Sequence, residues 1–400
     1  MTKLIRDPQL EQLVRELNDA EAATSEQRAV TLWPSASVPE GNPLEALLIE
    51  VAQRGASDLL LVSGQPPVFR VGGRLVRTAD APLSAEDLQS LFAALMTERF
   101  RQRLDDDGAV DFSLRLANTS EESRRAWRFR VNVHRQRGTL AAAIRALPTE
   151  VPTLPELRLP PSLAELVKPT RGLVLVCGPT GSGKSTTLAA LVGEINRHEA
   201  RHVITIEDPI EYEHRNVKSV IEQIEVGRDT PAFAAALRAS LRQDPDVILV
   251  GEMRDLETVA TALTAAETGH LILSTLHTSD AASAIHRIVD VFPSAQQTQI
   301  KHQLAMSLNA IVVQHLVPRS DESGMVVAVE VLMATHAVRN HIRNDKQQNL
   351  SQELTLGKRQ GMITLEESLV RLIHEGLITV DDARVRASRQ DELDSLLRSR

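Results

Sequence analysis

The sequence predicts an α/β protein in two parts, a small α+β domain followed by a larger domain built on a parallel sheet. Three observations carry this. Four short, continuous apolar runs, GLVLVCG, VITIED, VILVGE and LILSTLH, are separated by helical stretches, as in strands buried on both faces. Upstream of them the pattern differs, with an amphipathic helix followed by short alternating strands. Between the two regions lie five prolines in fifteen residues, Pro148, Pro152, Pro155, Pro160 and Pro161. Such a segment is extended and fairly stiff. The length of 400 residues, with 42% hydrophobic and 24% charged side chains, fits a soluble globular chain of two or three domains.

In chain order, residues 1–42 are polar and mixed, and Pro34, Pro39, Gly41 and Pro43 break any helix there, so a flexible extension is expected. Its opening, MTKLIRDPQLEQLVRELNDAE, has no uninterrupted apolar core and does not read as a secretory signal. Residues 43–147 form the small domain. NPLEALLIEVAQRGAS reads as a helix closed by Gly55, LLLV and VFRVGGRLVR as strands with a Gly72-Gly73 turn, Ala85 to Leu104 as helical, and VDFSLRL and AWRFRVNVHRQRG as further strands. Residues 148–161 are the linker. Residues 162–400 form the larger domain, whose last part, from about 335, is helical by period.

Charge and composition exclude several functions. Lys plus Arg number 45 against 53 Asp plus Glu, a net charge of −8, and aromatics are 2%. A nucleic-acid binder usually shows a basic excess and stacking side chains, so none is expected as a partner. The single cysteine, Cys177, builds neither an internal disulfide nor a four-cysteine zinc site, which favours a reducing compartment. No stretch reaches the roughly 18 apolar residues of a spanning helix. The expected location is therefore cytoplasmic, with any membrane contact made through a partner.

The run GLVLVCGPTGSGKSTTLAAL is an apolar strand, a glycine-rich loop and a helix-forming segment, the phosphate-binding pattern in its required context. Gly178, Pro179, Thr180, Gly181, Ser182, Gly183, Lys184, Ser185 and Thr186 make the loop and first turn. Its glycines let backbone N–H groups converge on phosphate oxygens, and the following helix aims its positive end at the same point. Lys184 is placed to reach the β and γ phosphates of a nucleotide, and Ser185 to ligate Mg²⁺. Candidate water-activating acids stand at strand ends: Glu207 and Asp208 after VITI, and Glu252 after VILVG. In a parallel sheet these ends share one edge with the phosphate loop. Gly251 occupies the place of the usual Walker B aspartate, a departure that points to a subgroup. His270 and His277 flank a further strand, with His277 at its carboxyl end, where an imidazole could sense a γ-phosphate.

With these motifs the sequence resembles the motor ATPases of type II secretion and type IV pili, most closely their PilT-like retraction branch, over roughly residues 45 to 400. GPTGSGKST resembles the family's Walker A loop, ITIEDPIEYEH its Asp box, DVILVGEMRD its atypical Walker B and GHLILSTLHTSDA its His box. The resemblance implies a RecA-like P-loop ATPase domain behind an N-terminal PAS-like domain, with ATP and Mg²⁺ as ligands. It implies that Glu207 polarises the attacking water, that Glu252 acts through Mg²⁺ and its water shell, and that His277 contacts the phosphate side. RFRVNVHRQRG resembles the arginine-bearing strand of the PAS-like domain, so Arg128, Arg130 and Arg145 are expected to reach a nucleotide of the same or a neighbouring subunit. Implied partners are five further copies in a homohexamer, an inner-membrane pilus platform protein and a paralogous retraction ATPase. One cysteine cannot build the zinc module common in assembly and secretion motors, and AVRNHIR resembles the AIRNLIR motif of retraction motors. Ser279, Leu60, Val338 and His341 depart from that pattern. The alternative is a secretion or conjugation-type ATPase of the same class that energises export.

Overall fold

A computed structural model describes residues 35–37, 41–116 and 127–398. Most of the extension expected over residues 1–42 lies outside these. The first of two seven-stranded sheets contains β1 (Ser35–Ser37), β2 (Asp58–Val62), β3 (Val68–Val71), β4 (Arg74–Arg77), β5 (Ala109–Leu116), β6 (Trp127–Gln136) and β7 (Thr139–Leu147). They run in the order β1-β5-β6-β7-β2-β3-β4. β1 pairs parallel with β5, and the other pairings are antiparallel. Gly72 and Gly73, at φ 55° and 79°, form the tight turn from β3 to β4, a left-handed path that side chains with a Cβ rarely take.

The helix expected over Ala85 to Leu104 is two helices, Ala85–Ala93 and Glu98–Asp107. Ser84 and Asp87 close a capping box on the first, and the Thr97 hydroxyl caps the second, so a new helix starts there. β7, TLAAAIRAL, is a strand the pattern reading did not single out, because alanines carry little β signal. Phe69, Phe92, Phe112 and Phe129 are buried where the helices cover one face of the sheet. Strand alternation leaves Asp58, Asp111, Arg115, Arg128, Arg130 and Arg145 on the other face.

The proline-rich segment is packed rather than free. Leu154 and Leu159, together with Leu163 and Leu166 of the 3-10 helix Pro161–Val167, bury against Val174, Leu191 and Ile195. The leucines between the prolines supply apolar surface that the rest of the chain covers, which fixes the segment to the second half.

The second sheet holds β8 (Gly172–Cys177), β9 (His202–Glu207), β10 (Val220–Glu225), β11 (Val247–Val250), β12 (Leu271–Leu276), β13 (Leu308–Pro318) and β14 (Met325–Met333), in the order β10-β9-β11-β12-β8-β13-β14. All pairings are parallel except β13 with β14. The four predicted apolar runs are β8, β9, β11 and β12, and they occupy the centre, where both faces are covered. Helix Lys184–His198 packs on one face, and helices Phe233–Ser240, Leu256–Glu267, Ala281–Asp290 and Ser294–Ser307 on the other. AVRNHIR forms helix His336–Arg343 with its N-terminal His336. Helices Leu365–His374, Val380–Arg386 and Gln390–Arg398 close over Val317, Val326 and Ala328. No helix among the described residues is long and apolar enough to cross a membrane.

Candidate nucleotide site

Parallel pairing puts the carboxyl ends of β8, β9, β11 and β12 on one edge, and every acid and histidine singled out above except His270 follows one of these ends. The loop after β8 is shaped by glycines. Gly178, Gly181 and Gly183 have φ values of 142°, 79° and 87°. A Cβ on Gly178 would stand 2.5 Å from the Gln314 carbonyl oxygen and 2.6 Å from Ser182 Oγ, so the cradle closes against β13 only with glycine there. Helix Lys184–His198 begins at Gly183, with no side chain bonded to its first N–H groups, which leaves these donors to an anion.

Lys184 Nζ donates to the carbonyls of Gly178 at 2.9 Å and Pro179 at 3.0 Å. Burial lowers its pKa from the usual lysine value, while Cys177, Glu211 and Glu252 work in the opposite direction. Cys177 beneath it is fully buried, and that burial pushes its thiol up to about 12. A neutral thiol is a small core residue, without redox character. Tyr212 Oη donates to Thr186 Oγ1 at 3.1 Å, tying the segment after β9 to the first turn of the phosphate-loop helix.

Glu207 ends β9 among polar side chains on one sheet face. Thr205, two residues earlier, donates from Oγ1 to Glu207 Oε1 at 2.7 Å. Gln223 of β10 stands opposite Thr205 in register and donates from Nε2 to the same oxygen at 3.2 Å. Burial raises the Glu207 pKa to about 7, against the two hydrogen bonds that favour the ionised form. A carboxylate near neutrality is suited to accept a proton from water. Gln223 escaped the sequence reading because β10, VIEQIE, is a half-exposed edge strand without a continuous apolar run or motif.

Glu252 follows β11. Its Oε2 lies 2.8 Å from Arg254 Nη2 and 3.9 Å from His277 Nε2. Burial raises its pKa and Arg254 counters the rise. Burial, Lys184 and Arg254 all lower the pKa of His277 from the usual histidine value. Space at Gly251 is tight. A Cβ on it would meet the Ile206 carbonyl at 3.1 Å and the Phe233 ring at 3.4 Å, so a larger side chain requires these neighbours to shift by a few tenths of an ångström. Thr275 Oγ1 holds the Gly251 carbonyl at 2.5 Å, bracing β11 from β12. His270 turns away, with Nδ1 3.1 Å from the Ala265 carbonyl at the end of helix Leu256–Glu267.

The three arginines are placed differently from one another. Arg145 Nε donates to Asp58 Oδ1 at 3.0 Å, and Arg130 Nε lies 3.8 Å from Asp111 Oδ1, both within the first sheet. Arg128 crosses to the second half, where Nη2 donates to the Ile210 carbonyl at 2.7 Å. The first arginine of AVRNHIR, Arg339, caps a helix end: its Nη1 donates to the carbonyls of Ala305 at 2.6 Å and Met306 at 2.7 Å.

A glycine cradle between a strand and a helix, with strand-end acids on the same edge and one strand inserted between β8 and β11, defines the P-loop nucleotide-binding class. The chain belongs to the Type II/IV secretion system protein family, whose match spans residues 42–393. It is 43% identical over 341 residues to the type IV pilus retraction ATPase PilT of Pseudomonas aeruginosa, covering 85% of this chain and 97% of that one. It is 39% identical over 349 residues to the type IV pilus ATPase PilU of the same organism, covering 87% and 90%. The crystal structure of the pilus retraction motor PilT with bound ADP superposes with a TM-score of 0.79 at 46% identity, covering 88% of this chain and 99% of that one.

Proposed function

We propose that this chain is one subunit of an ATP-hydrolysing ring motor that powers type IV pilus retraction. The observation that carries the reading is Glu207, a carboxylate near neutrality at the same sheet edge as the Lys184 loop. The extent of similarity to PilT supports the fibre as the load.

ATP is the substrate. The backbone of residues 178–183 and the N-terminus of helix Lys184–His198 hold its phosphates, and Lys184 exchanges the Gly178 and Pro179 carbonyls for β- and γ-phosphate oxygens. Glu207 orients a water and takes its proton as the water oxygen bonds to the γ-phosphorus. The bond from γ-phosphorus to the ADP oxygen breaks, giving ADP and phosphate. His277 lies on the phosphate side, at the carboxyl end of β12, and donates to a phosphate oxygen. Among the described residues no group of three or more His, Cys, Asp or Glu side chains forms a metal cage. That fits Mg²⁺, which keeps several waters and takes few protein ligands. Ser185 would ligate it directly and Glu252 through its waters, and the ion would neutralise charge on the phosphates.

Arg130 and Arg145 stand on the open face of the first sheet, and in a six-fold ring they would serve a neighbouring subunit's site. An inner-membrane platform protein transmits the stroke, and a paralogue of the PilU kind is a further partner. Lys184→Ala should abolish both ATP binding and hydrolysis in equilibrium-binding and turnover assays. Tight ATP binding by that variant would refute the site.

A further inference from the structure

Arg128 leaves its own sheet and binds the segment that carries Glu207. Besides Nη2 on Ile210, its Nη1 donates to the Glu211 carbonyl at 3.3 Å and its Nε lies 3.2 Å from Glu213 Oε1. Arg115, its register partner on β5, pairs with the same Glu213 carboxylate. Alternation puts Arg128 on the open face of the first sheet, yet it is only 7% exposed. The loop at residues 210–213 is what covers it.

That loop leaves β9 directly after Glu207 and is fastened a second time by Gln223. Gln223 Nε2 donates to the Tyr212 carbonyl at 2.9 Å as well as to Glu207, and its Oε1 accepts the His214 N–H at 2.9 Å. One amide thus joins the loop to the Glu207 carboxylate. A guanidinium is a planar fork, so its three contacts fix the loop in direction as well as distance. We infer that Arg128 and Gln223 are positioning residues acting in series: the first sheet holds the loop, and the loop, through Gln223, holds Glu207 in its working pose. The inference rests on the reading of Glu207 as the base that activates water. With its donors taken by loop carbonyls, Arg128 acts on hydrolysis through Glu207 rather than by touching phosphate.

The test is steady-state ATP hydrolysis by full-length Arg128→Ala, Arg128→Lys, Gln223→Ala, the double alanine variant and Glu207→Gln, each with a thermal melt. Arg128→Ala and Gln223→Ala should each lower kcat about 10-fold with KM within about 3-fold of the parent, the mark of an interaction needed only in the transition state. Arg128→Lys should recover part of the loss, because an ammonium can still donate to one carbonyl. The double variant should be no slower than the slower single one, since groups in series are not additive. A raised KM at unchanged kcat in Arg128→Ala would overturn the inference in favour of a direct phosphate contact. Losses that multiply in the double variant would also overturn it. If Arg128→Ala does not fold, Gln223→Ala decides, and an unchanged kcat there overturns the inference. Near-normal turnover in Glu207→Gln would instead remove the assignment of the base.

Discussion

The two sheets carry their charged side chains in opposite ways. On the open face of the first sheet, charges are laid out in rows across strands: Arg130 faces Arg145 in register, and Arg145 faces Asp58. Arg130 and Arg145 each find an acid nearby and stay partly exposed. At the edge of the second sheet the polar groups are few and drawn from separate strand ends, with Glu207 and Glu252 half-buried and His277 exposed. Glu207 and Glu252 have their pKa values raised by burial there. The same residue types are solvated surface in one place and poised chemistry in the other. What differs is whether parallel strands gather them at a common edge under cover. Arg128 belongs to the first set by sequence and to the second by contact.

The largest effect should come from Glu207→Gln, with ATP hydrolysis falling about 1,000-fold while ATP binding persists, in keeping with the loss of a general base. Single-turnover assays with a binding isotherm check both halves. The pH–rate profile sharpens the same point. A base with a pKa near 7 takes up a proton below it, so kcat should fall as the pH drops through about 7. A rate that stays flat down to pH 5 would assign the base elsewhere.

Gly251→Asp tests whether this edge tolerates a fourth acid beside Glu207, Asp208 and Glu252. The added side chain must displace the Ile206 carbonyl or the Phe233 ring and bring charge beside Glu207. A loss of about 3 kcal/mol in stability is expected, through overpacking and an unpaired buried charge, and denaturant titration reads it. Leu163→Ala should cost a comparable or slightly smaller amount, about 2 to 3 kcal/mol, because Leu163 is fully buried under the phosphate-loop helix. An unaffected midpoint would mean that the 3-10 helix Pro161–Val167 is not held against the phosphate-loop helix. The smallest effect on stability is expected from Arg145→Ala, below about 1 kcal/mol, since its guanidinium is largely exposed and Asp58 keeps Arg70 as a second partner. If that variant nonetheless loses hydrolysis in the assembled ring, Arg145 serves a neighbour's site and the contrast between the sheets narrows.

Much of this was legible in the sequence. The central strands are continuous apolar runs because both faces are covered, and the phosphate loop is a contiguous motif. Glu207, Glu252 and His277 were found because each follows such a run directly. Gln223 was not, since its partners Glu207, Tyr212 and His214 meet it only through the pairing of an edge strand. For Arg128, alternation gave the face but not what covers it, because burial by a loop more than 80 residues away leaves no periodic trace. β13 and β14 lay in a stretch the pattern reading passed over, although β13 extends the parallel sheet and supplies the Gln314 carbonyl that closes the cradle.

The central claim, a motor that withdraws pili, is tested most directly by counting surface pili and scoring surface motility in cells of the source organism carrying Glu207→Gln. Fibre number responds with opposite sign to loss of retraction and loss of assembly. The account predicts excess pili with motility lost, and cells without pili would contradict it.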